Sequence, residues 1–208
     1  MQRTGNTWRR RIILIVVATV IAGLTIAADL FTKGIFERID AGSDGRLNIV
    51  VIPDFFYFTY TENTGAAFSF LADAAWGQTF FKVLTCVALV AFVCFLVYAV
   101  KKGYAWLTVT LAFIIGGTVG NFADRIVLGK VRDFIGFIFG SYYFPIFNLA
   151  DTFLTVGTIM FIVYFLFISK NALFNFRQQD GKKAFDDDNN EKGDDDNDEN
   201  PSDKNGAI

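Results

Sequence analysis

Four long apolar stretches dominate the pattern of hydrophobic and polar positions along the chain. They cover residues 12–28, 83–100, 106–119 and 152–168. With its flanking residues, each stretch has about the length that a helix needs to cross ~30 Å of hydrocarbon. The third is the least regular, because it runs into Gly116, Gly117 and Gly120. The pattern therefore predicts four transmembrane helices.

A β-type pattern lies between the first two apolar stretches. The segment LNIVVIPDFFYFTYT, residues 47–61, is rich in Ile, Val, Phe, Tyr and Thr, which are typical of strands. It is broken at Pro53-Asp54 and followed by an Asn63-Thr64-Gly65 turn. We therefore expect a β-rich insertion at about residues 36–72 that forms a small cradle, followed by a short interfacial helix.

Composition places the chain in the membrane class. Hydrophobic residues make up 53% of it, 25 residues are Phe, and the mean hydropathy is +0.39. The expected fold is thus an all-α membrane protein with a small extracytoplasmic β-cradle. Because the chain has no His, Ser/His and Cys/His nucleophilic pairs and His-based metal sites are excluded. Both cysteines, Cys86 and Cys94, lie within the second apolar stretch, so neither a catalytic thiol nor a disulfide framework is indicated.

The distribution of basic residues predicts the orientation. Three segments carry basic residues and no acidic ones: the N-terminal arm, the connection between spans two and three, and the stretch that follows span four. Their basic residues are Arg3, Arg9, Arg10, Arg11, Lys101, Lys102, Lys170 and Arg177. These segments should be cytoplasmic, and the other two connections should lie outside. An alternative makes the first stretch a cleaved signal peptide ending near Ala27 and Ala28, although the stretch is long for an h-region of ~7 to 15 residues.

The C-terminal tail differs from the rest in charge. From Asp180 onward it holds 11 acids and 4 lysines, a net charge of about −7. Runs such as DDDNNEKGDDDNDEN contain no apolar residue to bury and repel themselves. We expect a membrane domain at residues 1–170 and a disordered cytoplasmic tail at residues 171–208.

Polar residues gather in four clusters at the predicted outer ends of the spans. They are Asp29 and Lys33 in DLFTK, Asn63 and Gly65 in ENTGAAFSF, Asn121, Asp124 and Arg125 in GGTVGNFADR, and Asn148, Ala150 and Asp151 in FNLAD. Asp29 and Lys33 are four residues apart and can pair on one face of a helix, and Asn121 and Asp124 can also share a face. Taken alone, the first cluster indicates an ion pair at the end of a helix, and Asp151 indicates a helix cap.

A further carboxylate, Asp133, lies between the last two clusters. Asp133 precedes FIGFIFGSYYFPIF, an aromatic segment whose Gly140 and Ser141 are compatible with a hairpin that brings Asp133 toward Asp151. Two carboxylates beside an apolar groove can cleave a peptide, one taking a proton from water while the other donates one to the carbonyl. One alternative is a small transporter or proton-coupled channel, which would need carboxylates at mid-span depth, whereas these cluster at one interface. Another is a non-catalytic assembly factor, which would tolerate the loss of both Asp133 and Asp151.

The motifs DxxTK, NTGAAFS, GGxxGNxxDR with VxDF, and FNxAD, in this order on a four-span frame, closely resemble those of the lipoprotein signal peptidases, signal peptidase II. The resemblance covers about residues 12–168. It implies a bacterial inner-membrane aspartic endopeptidase that removes the signal peptide of a diacylglyceryl-modified prolipoprotein just before the lipidated Cys. The resemblance implies that the protein uses no cofactor or metal and binds no nucleic acid. It also implies that membrane lipid is a partner in addition to the prolipoprotein substrate. We expect a monomer.

The resemblance also implies roles for individual residues. The catalytic pair falls on Asp133 and Asp151. Supporting positions fall on Asp29, Lys33, Asn63, Gly65, Asn121, Asp124, Arg125, Asn148 and Ala150. Burial should raise the pKa of Asp133, against a pull from Arg132, while a helix N-terminus favours the charged form of Asp151. We therefore expect Asp151 to be the base and Asp133 the initial acid, with Asp124 a structural partner; a pair of Asp124 with Asp151 is the alternative.

Overall fold

Four long helices form the membrane part of the computed structural model, which describes residues 2–64 and 77–169. They are α1 (Gln2–Ala41), α2 (Gly77–Lys102), α3 (Ala105–Val127) and α4 (Leu149–Val163), which a π-helical turn follows at Tyr164–Ile168. Each is long and apolar enough to cross a membrane, when α4 is taken together with its π-helical turn. The four predicted spans are confirmed.

Two helices extend further than the sequence predicts. α1 continues past residue 28 to Ala41, so residues 36–41 of the expected β-rich insertion are helical. The helix can continue because Asp29 and Lys33 pair with each other in the protein interior rather than marking an end exposed to water. α3 continues past residue 119 to Val127, because its glycines serve packing and do not break the helix.

The glycines of α3 bring neighbouring helices close to its backbone. A Cβ atom at Gly117 would lie 2.4 Å from the carbonyl oxygen of Ala150 in α4, and one at Gly120 would lie 2.5 Å from Asp29 Oδ2 of α1. Such distances leave no room for a methyl group. The same close approach that packs the helices therefore places the first turn of α4 beside Asp29 and α3.

A methyl group at Gly117 should separate α3 from α4. We expect Gly117→Ala to lower the thermal unfolding midpoint in detergent and to impair the site at the start of α4, because the obstructing atoms are backbone atoms of Ala150 and Leu154. Gly23→Ala is the matched control, since a Cβ atom there meets nothing within 4 Å and the change should stabilise α1 by about 0.5–1 kcal/mol. Equal midpoints for the two variants would contradict this packing account.

A four-stranded antiparallel sheet lies outside the spans. Its order is β1 (Asn48–Ile52), β2 (Phe56–Asn63), β3 (Val131–Phe139) and β4 (Tyr142–Tyr143). The predicted break at Pro53-Asp54 and the hairpin at Gly140 and Ser141 are both confirmed. The pairing of β2 with β3 is not evident from the sequence alone, and its register sets Thr61 opposite Asp133. Phe36 of α1 stacks on Phe134 of β3 with ring centroids 4.4 Å apart, which fixes the sheet to the helices.

Several predictions concern residues outside the described ranges. Gly65, the remainder of the NTGAAFS segment and the expected interfacial helix fall in residues 65–76. The acidic tail falls in residues 170–208. The division at residues 170 and 171 therefore stays a prediction.

Candidate active site

Asp133 lies on β3 with its side chain directed into the protein. It is 3% exposed, and its carboxylate accepts hydrogen bonds from Asn148 Nδ2 at 2.6 Å and from Asn63 Nδ2 at 3.2 Å. Asn63 is paired with Val131, two positions before Asp133, so the amide reaches the carboxylate diagonally across the two strands. The pairing of β2 with β3 thus brings together residues that are 70 positions apart.

Burial, together with the negative charge of Asp151, raises the pKa of Asp133 to about 6. The hydrogen bonds from Asn63 and Asn148 and the positive charge of Lys33 act in the opposite direction. The expected upward shift is confirmed. The expected pull from Arg132 is wrong, because successive side chains of a strand point to opposite faces and Arg132 binds Asp124 and Glu37 instead.

Asp151 is held in a reciprocal capping arrangement at the start of α4. Its backbone N–H donates to Asn148 Oδ1 at 3.0 Å, and its Oδ2 accepts from the Asn148 N–H at 3.2 Å. This is the geometry of a capping box, in which the N-cap residue and the third helical residue satisfy each other's backbone donors. The predicted cap is therefore present, and it also fixes the position of the Asp151 carboxylate.

Two asparagines connect the two carboxylates. Asn121 Nδ2 donates to Asp151 Oδ1 at 2.7 Å, and Asn148 Nδ2 donates to Asn121 Oδ1 at 3.0 Å as well as to Asp133. Asn148 is fully buried, so its amide has little freedom to turn away. Asp133 and Asp151 are consequently linked through one continuous set of hydrogen bonds.

A buried cation supports this network from α1. Lys33 is fully buried, and its Nζ lies 2.7 Å from Asp29, 2.9 Å from Asn121 Oδ1 and 3.5 Å from Asp124. The predicted Asp29–Lys33 pair and the shared face of Asn121 and Asp124 are both confirmed. The pair is not at a helix end, because α1 continues beyond it. Asp29 Oδ1 also accepts the Ala150 N–H at 2.9 Å, so α1 contributes directly to holding the first turn of α4.

Asp124 is engaged in a different ion cluster. Its two oxygens accept hydrogen bonds from the Arg132 guanidinium, which also binds Glu37 of α1 at 2.7 Å. Asp124 and Glu37 raise the pKa of Arg132, outweighing the opposite effect of its burial. The sequence pattern does not single out Arg132 and Glu37 as parts of this framework, although the period-two alternation of VRDF places Arg132 on the strand face opposite to Asp133.

The two carboxylates face one groove of about 480 Å³. Its polar lining consists of Asn63, Asn121, Arg125, Asp133, Asp151, Thr152 and Thr155. The remaining wall is apolar and comes from Val131, Val156 and the segment 144–147. Arg125 Nε is buried and has no hydrogen-bond partner within residues 2–64 and 77–169. The groove therefore combines an apolar wall with two carboxylates and a guanidinium.

The chain is similar to known proteins over most of its length. The profile of the family described as signal peptidase (SPase) II matches residues 9–167. A lipoprotein signal peptidase of Ectopseudomonas mendocina is 47% identical over 143 residues, which cover 66% of this chain and 80% of that relative. One of Listeria monocytogenes is 41% identical over 140 residues, covering 67% and 86%.

Solved structures of bacterial membrane enzymes show the same fold. One superposes with a TM-score of 0.61 at 35% identity and covers 73% of this chain and 94% of its own. Another gives a TM-score of 0.59 at 33% identity, with coverage of 72% and 87%. The four-helix frame with its small sheet is thus shared with bacterial membrane enzymes.

Proposed function

From the premise that the chain belongs to the signal peptidase II family and removes signal peptides from prolipoproteins in the bacterial inner membrane, we propose that it is an aspartic endopeptidase with Asp133 and Asp151 as its catalytic pair. The observation that carries the proposal is the common groove. Both carboxylates line it, and Asn148 contacts both. A proton-transfer pair needs this kind of fixed mutual geometry.

In the proposed reaction, a water molecule in the groove attacks the scissile carbonyl carbon. Asp151 takes a proton from the water, and protonated Asp133 donates one to the carbonyl oxygen. Collapse of the tetrahedral intermediate breaks the C–N bond, and the proton held by Asp151 passes to the leaving amine. Asp133 takes back a proton from a hydroxyl group of the intermediate, which yields the product carboxylic acid and restores the starting pair. The raised pKa of Asp133 supports its role as the acid, since it keeps part of the population protonated near neutral pH. Such a pair titrates as a unit.

Arg125 and three asparagines complete the proposed site. Arg125 lines the groove near both carboxylates, and its unsatisfied Nε suits a backbone carbonyl of the substrate. Asn63, Asn121 and Asn148 orient the carboxylates through the hydrogen bonds described above. Four further residues support the site indirectly, by holding α1, α3 and the start of α4 in place. They are Asp29, Lys33, Asp124 and Ala150. Gly65 stays a supporting position implied by the family motif.

The proposed substrate is a diacylglyceryl-modified prolipoprotein that is cut just before its lipidated Cys. We infer that it enters laterally from the bilayer, with its acyl chains remaining in lipid. The sheet would lie on the membrane as a cradle, since Val50, Phe139 and Tyr143 are all more than half exposed. The chain would act as a monomer, with both termini cytoplasmic and the groove at the outer face.

The substrate proposal is tested with two precursors that differ only in the diacylglyceryl group. In proteoliposomes, we expect the lipidated precursor to be cleaved at least about 100-fold faster at limiting concentration, because the anchor fixes its depth and orientation. The product N-terminus, determined by mass spectrometry, should be the lipidated Cys. Equal rates for the two precursors would contradict lipid recognition but would leave the aspartate assignment standing.

The acid role of Asp133 predicts the direction of one pH limb. Since only protonated Asp133 can donate, kcat/KM should fall with unit slope as the pH rises through about 6. Asp151→Asn removes the neighbouring negative charge, so any residual activity of that variant should have its limb at lower pH. The measurement is initial rates in detergent from pH 4 to 9. A rate that rises through pH 6 would instead make Asp133 the base.

A further inference from the structure

A second groove lies between the N-terminal half of α1 and the C-terminal half of α2. Both helices pack mainly on α3 and contact each other little, so a cleft of about 850 Å³ remains between them with α3 as its floor. This volume lies within the ~300–1,000 Å³ range of ligand sites. The groove involves the opposite end of the helices from Asn121 and Asp151, and it shares no residue with the catalytic groove.

The groove is apolar along its length and basic at one end. Its walls include Ile12, Ile15 and Ile26 of α1 and Val93 and Val97 of α2. At the end near the start of α1, Arg11 and Lys101 line it, and Arg11 donates a hydrogen bond to the Lys101 carbonyl at 3.0 Å. A guanidinium carries five N–H donors, so this bond leaves others for a ligand. Neither residue forms an ion pair with a carboxylate in the part of the chain that the structure describes.

The groove is long enough to span the hydrocarbon depth of one leaflet of a bilayer. From Arg11 to Ile26, α1 rises about 22 Å at ~1.5 Å per residue. Half of a hydrocarbon core of ~30 Å is about 15 Å. With its basic end at the level of the headgroups, the groove can therefore contact an acyl chain over the full depth of one leaflet.

We propose that this groove binds one anionic glycerophospholipid, with an acyl chain along α1 and its phosphate between Arg11 and Lys101. Basic pockets between transmembrane helices at the cytoplasmic side suit such headgroups. Two other occupants fit less well. The acidic tail offers charge, but its run DDDNNEKGDDDNDEN has no apolar residue for the walls. A substrate signal peptide offers an apolar segment, but its positive n-region would meet the basic end.

The headgroup contact is tested by native mass spectrometry of the full chain in detergent. Phosphatidylglycerol and phosphatidylcholine with identical acyl chains serve as probes. We expect phosphatidylglycerol to bind at least about tenfold more tightly, and R11Q/K101Q to abolish that preference. R9Q/K102Q is the matched control, because it removes the same charge near the same helix ends but not from the groove, and it should keep the preference. Equal binding of the two lipids, or equal loss in both double variants, would overturn the proposal.

The acyl-chain contact is tested by filling the groove. Gly23 lines it and a Cβ atom there meets nothing within 4 Å, so Gly23→Leu should occupy the space and weaken phosphatidylglycerol binding at least about tenfold. Gly34→Leu is the control, since Gly34 lies on the same helix with equal space but outside the groove. If Gly23→Leu instead leaves lipid binding unchanged and raises the KM for a precursor, the groove holds the signal peptide and the proposal is wrong.

Discussion

Replacing Asp133 with Asn should reduce the rate of precursor cleavage by at least about 10²–10⁴-fold, the usual contribution of a positioned acid or base. The amide has nearly the shape of the carboxyl group and its oxygen can still accept the Asn148 hydrogen bond, but it cannot donate the proton that the carbonyl oxygen requires. Asp151→Asn should have an effect of similar size, because the water then loses its base. The measurement is a single-turnover assay with purified protein in proteoliposomes.

Stability measurements separate this loss of activity from misfolding. The folded pKa of Asp133, about 6, lies above the ordinary value of 3.8. Its protonation therefore stabilises the fold fully below pH ~4, and that contribution is lost as the pH rises through about 6. At pH 8 a neutral Asn avoids burying a charge, a benefit of at most about 3 kcal/mol. The amide loses the hydrogen bond from Asn63, which offsets part of this benefit. Asp133→Asn should therefore be inactive yet about as stable as the parent at pH 8.

Asp124→Asn distinguishes the two candidate pairs. Asp124 binds Arg132 and lies near Lys33, and it does not line the groove. Its substitution should lower the unfolding midpoint, while the fraction that stays folded should retain cleavage. An inactive, fully folded Asp124→Asn together with an active Asp133→Asn would instead assign catalysis to Asp124 and Asp151.

Lys33→Met should cause the largest loss of stability. Lys33 and Asp29 are both fully buried, so removing the cation leaves an uncompensated carboxylate in the interior. Breaking a buried pair from one side typically costs about 3–5 kcal/mol. We expect a markedly lower unfolding midpoint in detergent and little folded protein in membranes. Arg38→Met is the matched control, because it removes a cation from the exposed surface of the same helix and should change the midpoint little.

A double variant identifies the cause of that loss. In D29N/K33M the buried charge is gone, and the Asn oxygen can still accept the Ala150 N–H. The double variant should therefore regain a substantial part of the stability that Lys33→Met loses. If it is no more stable than Lys33→Met, the shape of the lysine side chain matters and its charge does not. If Lys33→Met matches Arg38→Met, the buried network makes no contribution to the fold.

The sequence predicts the spans well because the membrane imposes a simple length and polarity rule. It predicts the helix ends less well. α1 continues through Asp29 and Lys33, since a charged pair that is satisfied inside the protein does not require a helix to stop. Likewise, the glycines of α3 suggest a break, but packing of Gly117 against α4 keeps them helical.

The candidate site shows where local patterns stop being informative. The spacing Asn-x-x-Asp occurs at Asn121 and again at Asn148, yet the first pair faces Lys33 from the last turns of α3 and the second closes a capping box at the start of α4. The position of each pair within its helix determines which contacts it makes, and the spacing alone does not predict them. The hydrogen bond of Asn63 to Asp133 spans 70 positions and depends on the pairing of β2 with β3, so only the folded sheet reveals it.

A double-mutant cycle on Asp133 and Asp151 tests the central proposal most directly. Single-turnover rates are measured for Asp133→Asn, Asp151→Asn and D133N/D151N, each with its unfolding midpoint as a check on folding. If the two carboxylates act as one unit, either substitution abolishes the reaction that both perform, and the double variant is about as slow as the slower single variant. Losses that multiply in the double variant, or near-parental cleavage by either folded single variant, would contradict the proposed pair.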